Sequence, residues 1–261
     1  MLDVMKADPF MPVRRQALYA MLDAATDVRH SFLVSALFDR HASLRHAARV
    51  YLREDAAQSG STFDAREFYL DAMNRGNTRL SAFAIAGVGE SGNKVDVERL
   101  MPLVVGASSQ VAASAVRAVA ALDRESHIEW FADLLAARRP AVAREATRAL
   151  LAAGGALPVD RVRTVLRDGP FPHSRRLALH LLLRRHPYDA VVDAVAAVGS
   201  NDPVLAEAGT NFIERLWSGK ISFGPSASQV TAAEVAITDS AAPLSDKLRA
   251  QIHQFLGLPA H

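Results

Sequence analysis

The chain has 261 residues, half of them hydrophobic, with no cysteine and a formal net charge of +2. This composition excludes disulfides, thiolate metal sites and a cysteine nucleophile, and the chain is long and apolar enough to bury a substantial core instead of remaining disordered. The first ten residues, MLDVMKADPF, place Asp3, Lys6 and Asp8 where a signal peptide needs an apolar centre, and no stretch approaches roughly eighteen uninterrupted apolar residues, so a cytoplasmic protein without membrane contact is expected.

In chain order, similar helical starts recur: VRRQALYAML at Val13, LRHAARVYL at Leu44, TRLSAFAIAG at Thr78, VAASAVRAV at Val111, VAREATRAL at Val142, SRRLALHLL at Ser174 and VLAEAGTNF at Val204. The intervals are 31, 34, 33, 31, 32 and 30 residues, and four residues into each start stands an alanine: Ala17, Ala48, Ala82, Ala115, Ala146, Ala178 and Ala208. A small side chain on a buried stripe lets two helix axes approach closely. Positions 0, 4 and 8 of each unit are mostly apolar or small, as in Val142, Ala146 and Leu150, which is a helical period; the strand period of two is absent.

Between these starts lie second helical segments: DVRHSFLVSALF, DAREFYLDAM, DVERLMPLVV, SHIEWFADLL, PVDRVRTVL and YDAVVDAVAAV. Asp27, Asp64, Ser126, Pro158 and Pro187 supply capping or first-turn residues for them. Each unit is therefore expected to be a helical hairpin of about 31 residues. Near the end, SGKISFGPSAS breaks the period, and two further helices, near Ser228 to Thr238 and Ser245 to Leu256, are expected as a C-terminal cap. Trp217 is expected to dock this cap. The organisation expected is a repeat array over 1–217 and a modified cap over 218–261.

The pattern DP…VR..A…L, seen in Asp8-Pro9…Val13-Arg14…Ala17 and Asp202-Pro203-Val204…Ala208, resembles HEAT repeats, and the short period is similar to the HEAT-like class named after phycobilisome lyases. The resemblance spans about residues 8–217. It implies an all-α fold: a right-handed α-solenoid, or superhelix, of about seven helical hairpins with the first helices on the convex side. It also implies that an aspartate six residues before the arginine pairs with it between successive units. Asp8 with Arg14 and Asp39 with Arg45 fit; Asp168 with Arg175 is one residue off, and Ala112 and Ala143 replace the arginine in units four and five.

One loop resembles a phosphate-binding motif. AGVGESGNK, residues 86–94, contains Gly87, Gly89 and Gly92 as G-x-G-x-x-G. A dinucleotide or Walker loop needs a preceding strand, so that backbone N–H groups and a helix N-terminus meet the phosphate. The preceding run here is the helical SAFAIAG, Asn93 follows the last glycine, and neither Ser nor Thr follows Lys94. The three glycines are read as a helix C-terminus and turn that need positive φ.

No other constellation assigns a catalytic residue. His173, His180 and His186 lack metal-ligand spacing, and with no His-Glu dipeptide the iron-binding HEAT-like hydroxylases are set aside. G-x-S-x-G is absent. HEAT-like alkylpurine DNA glycosylases use Trp, Asp and Arg on a concave basic surface, which Trp130 and Asp133 echo; the alternative is that Trp130 packs with Ile128, Phe131 and Leu134 while Glu129 and Asp133 face water.

Charge distribution gives the strongest lead. The basic residues are 26 Arg to 4 Lys, a bias that fits a GC-rich, bacterial genome. Residues 138–185 hold eleven arginines against Glu145, Asp160 and Asp168. Positions 2, 6 and 10 of a unit share one face, which carries Arg117 in unit four, Arg144 and Arg148 in unit five, and Arg176, His180 and Arg184 in unit six. Stacking is expected to join them as one basic patch, read either as an anion-binding surface or as a solvated face in an arginine-biased chain. Against nucleic acid, the patch lacks lysine and has few aromatics for stacking besides Phe171 and Tyr188.

The function expected is a non-enzymatic scaffold that binds a protein partner through this patch, without cofactor or metal. The alternative is nucleic-acid binding, including a glycosylase-like activity, and lyase-like chemistry stands third. MLDVMKAD reads as the last turns of a second helix whose first helix is missing, so the N-terminal end is expected to continue upstream or to dock on a partner or a second copy.

Overall fold

A computed structural model describes residues 7–75, 78–216, 224–240 and 244–258. The expectations placed on residues 1–6 and on Trp217 lie outside the described residues. Among the described residues the secondary structure is all-helical, and the chain forms two compact units, residues 1–126 and 127–261.

The first unit holds α1 (Met11–Ala20), α2 (Thr26–Ala36), α3 (Ala42–Gln58), α4 (Ala65–Asn74), α5 (Thr78–Ser91), α6 (Val97–Leu100), α7 (Leu103–Gly106) and α8 (Ser109–Asp123). Second helices pack onto the next first helix, α2 on α3, α4 on α5 and α7 on α8, and α5 also packs on α8. The segment DVERLMPLVV forms two short helices instead of one, α6 and α7, flanking Pro102. A proline lacks the N–H of an interior helical position and its ring clashes with the preceding turn.

The second unit holds α9 (Ile128–Leu134), α10 (Pro140–Ala152), α11 (Val159–Asp168), α12 (Pro172–Leu182), α13 (Pro187–Val198), α14 (Pro203–Arg215), α15 (Ala227–Thr238) and α16 (Asp246–Leu256). Here α9 packs on α10, α11 on α12 and α13 on α14; α10 lies beside α12, and α12 beside α14. The two C-terminal helices stand where the sequence places them, α15 on α13 and α16 on α14. They close a core of Val191, Val195, Ile213, Ile237, Leu248 and Ile252.

Local sequence sets the helix ends. Pro140, Pro172, Pro187 and Pro203 occupy the first turn of their helices, where no backbone donor is lost. Asp64, Ser108, Asp202 and Ser245 accept from first-turn N–H groups. Gly257, at φ 71°, ends α16 in the left-handed conformation that a side chain disfavours. Asp27 and Ser126 are not caps: Asp27 lies inside the first turn of α2, and the Ser126 hydroxyl donates to Asp123.

The recurring alanines are packing residues. Ala17, Ala48, Ala115, Ala146 and Ala178 are fully buried and Ala82 is nearly so. Ala208 alone of the seven is only partly buried.

The glycine motif has a different explanation from the one expected. Gly87 and Gly89 lie inside α5, Gly92 just beyond its end, and none of the three has positive φ. What they lack is room: a Cβ on Gly87 would overlap the Tyr69 ring, one on Gly89 would stand 2.8 Å from the Ala118 Cα, and one on Gly92 would meet Val88 O at 2.6 Å. Gly87 and Gly89 are demanded by the clamp of α5 between α4 and α8, whereas Gly92 follows the helix C-terminus as expected, without positive φ, where its Cβ would crowd Val88 O and the Asp96 carboxylate.

Buried arginines join successive hairpins, with a register that differs from the expected one. Arg14 Nη1 donates to the backbone oxygen of Asp8 at 2.9 Å, while Nε and Nη2 reach the carboxylate of Asp39 at 2.7 and 2.9 Å. The side chain of Asp8 instead accepts from the N–H of Phe10. Arg45 repeats the arrangement, donating to the backbone oxygen of Asp39 and pairing with Glu90, which Arg49 shares. The aspartate thus shapes the start of its own helix and pairs with the arginine of the preceding hairpin. Arg175 pairs not with Asp168 but, at 4.0 Å, with Asp202.

Candidate interaction surface

All six residues of the expected patch are exposed, but they belong to different units. Arg117 lies on α8 of the first unit; Arg144 and Arg148 on α10, and Arg176, His180 and Arg184 on or just after α12, belong to the second. Because α10 and α12 pack side by side, the structure brings the last five onto neighbouring helices.

Much of the surrounding charge is neutralised by acids distant in sequence. Arg161 binds Glu129 and Asp133 at 3.0 and 3.3 Å, and Arg163 binds buried Asp193 at 2.6 Å, a bond that raises the guanidinium pKa. Arg185 also reaches Asp193, and Arg167 pairs with Asp168. Within the patch, Arg148 pairs with Glu145 at 2.6 Å, and Arg176 approaches Asp202 at 3.5 Å. Burial works against the Asp202 carboxylate, yet the N–H of Val204 and the Arg176 charge outweigh it and hold the pKa below the usual range. Among the described residues, the side chains of Arg144, His180 and Arg184 carry no hydrogen bond or ion pair. The local excess of arginine is therefore real in sequence but reduced in space to Arg138, Arg144 and Arg184, with His180 among them, plus the exposed flanks of Arg148 and Arg176.

The other candidates resolve as structural groups. Trp130 is partly buried, its ring 5.1 Å from Phe131 and edge-on to His127, and both Glu129 and Asp133 are engaged by Arg161. His173 bonds the backbone oxygen of Ala137 at 2.9 Å and stacks on Phe171; His186 lies against Tyr188. Among the described residues no three His, Asp or Glu side chains cluster to hold a metal, and no helix is long and apolar enough to cross a membrane.

One feature of the surface is not marked by any sequence motif. Between α12 and α14 run two depressions of ≈ 180 and ≈ 450 Å³ that share Leu183 and Ala208 in their walls and so form one groove. Its floor is apolar, with Leu179, Val204, Phe212 and Leu216; Arg176, His180 and Arg184 line one side and Arg215 the far end. The signal that could have located it is Ala208, the signature alanine that remains partly open. A depression of ≈ 430 Å³ in the first unit also has an apolar lining, but its Arg14, Asp39 and Arg40 are spent on one another and on backbone oxygens.

No family model matches the chain, and no curated protein matches it.

Proposed function

We propose that the chain is a HEAT-like scaffold, a right-handed α-solenoid of about seven helical hairpins, that binds a protein partner without catalysing a reaction. The carrying observation is the pair of exposed arginine stripes on adjacent helices α10 and α12, in which Arg144 and Arg184 have no acidic partner among the described residues and His180 stands beside them. Helix-on-helix packing within the second unit holds these side chains on a fixed face, and a face that displays unpaired guanidinium groups favours an acidic surface by electrostatic steering.

The test is affinity capture from the source organism's lysate by the full chain and by a variant with Arg144, Arg148, Arg176 and Arg184 all changed to Glu. In parallel, a labelled DNA duplex is titrated by fluorescence anisotropy at low and physiological salt. A saturable protein partner, re-bound in purified form by the wild type and lost with the variant, supports the scaffold. Duplex binding that weakens steeply with salt and vanishes in the variant moves the function to nucleic acid.

A further inference from the structure

We infer that the groove between α12 and α14 receives an acidic amphipathic helix of a partner protein. The inference rests on the scaffold reading and names the chemistry of its partner.

The groove has the dimensions and the lining of a helix seat. On and just after α12 its wall is built by residues 176, 179, 180, 183 and 184, and on and just after α14 by 204, 205, 208, 211, 212, 215 and 216, with Pro187 of α13 beside them. Both sets follow the helical repeat, so each wall is a straight stripe. From Val204 to Leu216 the α14 wall runs roughly 18 Å at the 1.5 Å rise of a helix, room for about three turns of a third helix laid alongside. Two neighbouring helices with a small residue between them leave the depression into which a third helix's side chains fit as ridges into a groove.

Ala208 is the reason the depression exists. In the other six hairpins the corresponding alanine is buried by its neighbours, whereas this one forms the open floor beside Leu183. Val204, 42% exposed, extends the apolar strip at one end, and Phe212 extends it at the other.

Charge selects the occupant. Among the described residues, every ionisable side chain that lines the groove is basic or histidine: Arg176, His180, Arg184 and Arg215. Asp202, near one end, is committed to Arg176. A partner helix with leucine-like residues at i, i+4, i+7 and i+11 would fill the floor while glutamates or aspartates on its flanks meet the cations. An apolar floor of this length does not suit a phosphate backbone, which requires a continuous row of cations and offers nothing to bury.

The probe is a fluorescein-labelled synthetic peptide of sixteen residues with leucines on one helical face and glutamates elsewhere. Two controls accompany it: the same composition scrambled to destroy the face, and the same face with every glutamate changed to lysine. The full chain is expected to bind the acidic amphipathic peptide at least tenfold tighter than either control. Binding is expected to fall at least tenfold with Arg184→Glu and, separately, with Val204→Asp, both exposed positions that leave the fold intact by circular dichroism. Arg53→Glu, exposed on α3 of the first unit, is expected to change it less than twofold.

Equal binding of the lysine peptide, no binding of the acidic one, or indifference to both groove variants overturns the inference. So does a DNA duplex that competes the peptide off with the same sensitivity to Arg184→Glu and Val204→Asp. If the groove fails while captured partner still depends on Arg144 and Arg148, the scaffold reading survives without it; if both fail, the scaffold reading falls as well.

Discussion

Gly87 on α5 lies so close to the ring of Tyr69 on α4 that a methyl group at this glycine would overlap ring carbons Cε1 and Cζ. Tyr69 cannot move aside: it is fully buried, donates its hydroxyl to the backbone oxygen of Leu37 at 3.0 Å and accepts from Arg49. Alanine in a helix gains about 0.5–1 kcal/mol over glycine, whereas overpacking a rigid core costs about 1–3 kcal/mol, so the steric term wins. Gly87→Ala is expected to destabilise the protein by about 1–2 kcal/mol in urea unfolding. In a Tyr69→Leu background its cost should fall, because the ring is gone; an additive double mutant would place the strain elsewhere.

The bidentate pair of Arg14 with Asp39 makes a second prediction. Arg14 is 5% exposed, so removing its partner leaves a desolvated cation without a counter-charge. Asp39→Ala is expected to cost about 3 kcal/mol, in the range for breaking a buried pair. Asp8→Ala removes only a bond to the N–H of Phe10 and is expected to cost about 1 kcal/mol. Equal costs in equilibrium denaturation would show that Asp8, at the expected six-residue spacing, is the real partner.

These two cases mark how far the sequence could be read. Helix positions were legible because each start repeats an apolar stripe with an alanine at a fixed place, and Ala17 through Ala178 are indeed the buried crossings. The second helices and the two C-terminal ones were legible for the same reason, apart from the break at Pro102. Partners were not legible, since periodicity says which residues face inward but not which neighbour they meet. Gly87 and Asp39 were each assigned a local role, a turn and a pair within six residues, whereas both act on a neighbouring helix. The basic patch was legible as a list of exposed residues; its neutralisation by Asp193 and Asp202 was not, because those acids are brought in by α13 and the start of α14. The groove carries no motif at all, because it is defined by what fails to cover Ala208.

Asp96 ties the pH response to the joint between α4 and the start of α6. Its side chain is fully buried and receives Arg66 Nε and Nη2 at 2.8 and 2.6 Å and the N–H of Asn93 at 2.9 Å. The bonds from Arg66 do most to hold its pKa below the ordinary 3.8; burial opposes them, and the Asn93 N–H adds to them. A carboxyl with a depressed folded pKa contributes stability that is complete above its unfolded value and is lost as the pH falls through the folded one. Asp96→Asn is therefore expected to be less stable than wild type at pH 7, with the gap narrowing once the pH drops below 3.8. Thermal melts of both proteins between neutral and acid pH measure this; a constant gap would mean that the carboxylate charge contributes nothing.

The sharpest contrast lies between two alanines that share one place in the repeat. Ala146 on α10 has no exposed surface, and its neighbours Val142, Ala143, Ala149 and Leu150 are all buried, so three extra heavy atoms have nowhere to go. Ala146→Leu is expected to cost about 2–3 kcal/mol, the upper part of the overpacking range. Ala208 on α14 faces the open groove beside Leu183, and a leucine there can extend along the apolar floor with a cost below about 1 kcal/mol. The same substitution would fill the seat proposed for the acidic helix, so Ala208→Leu should abolish peptide binding while leaving the unfolding midpoint nearly unchanged. If Ala208→Leu destabilised the fold as much as Ala146→Leu, the groove would be closed in solution and the seventh alanine would be a buried crossing like the other six.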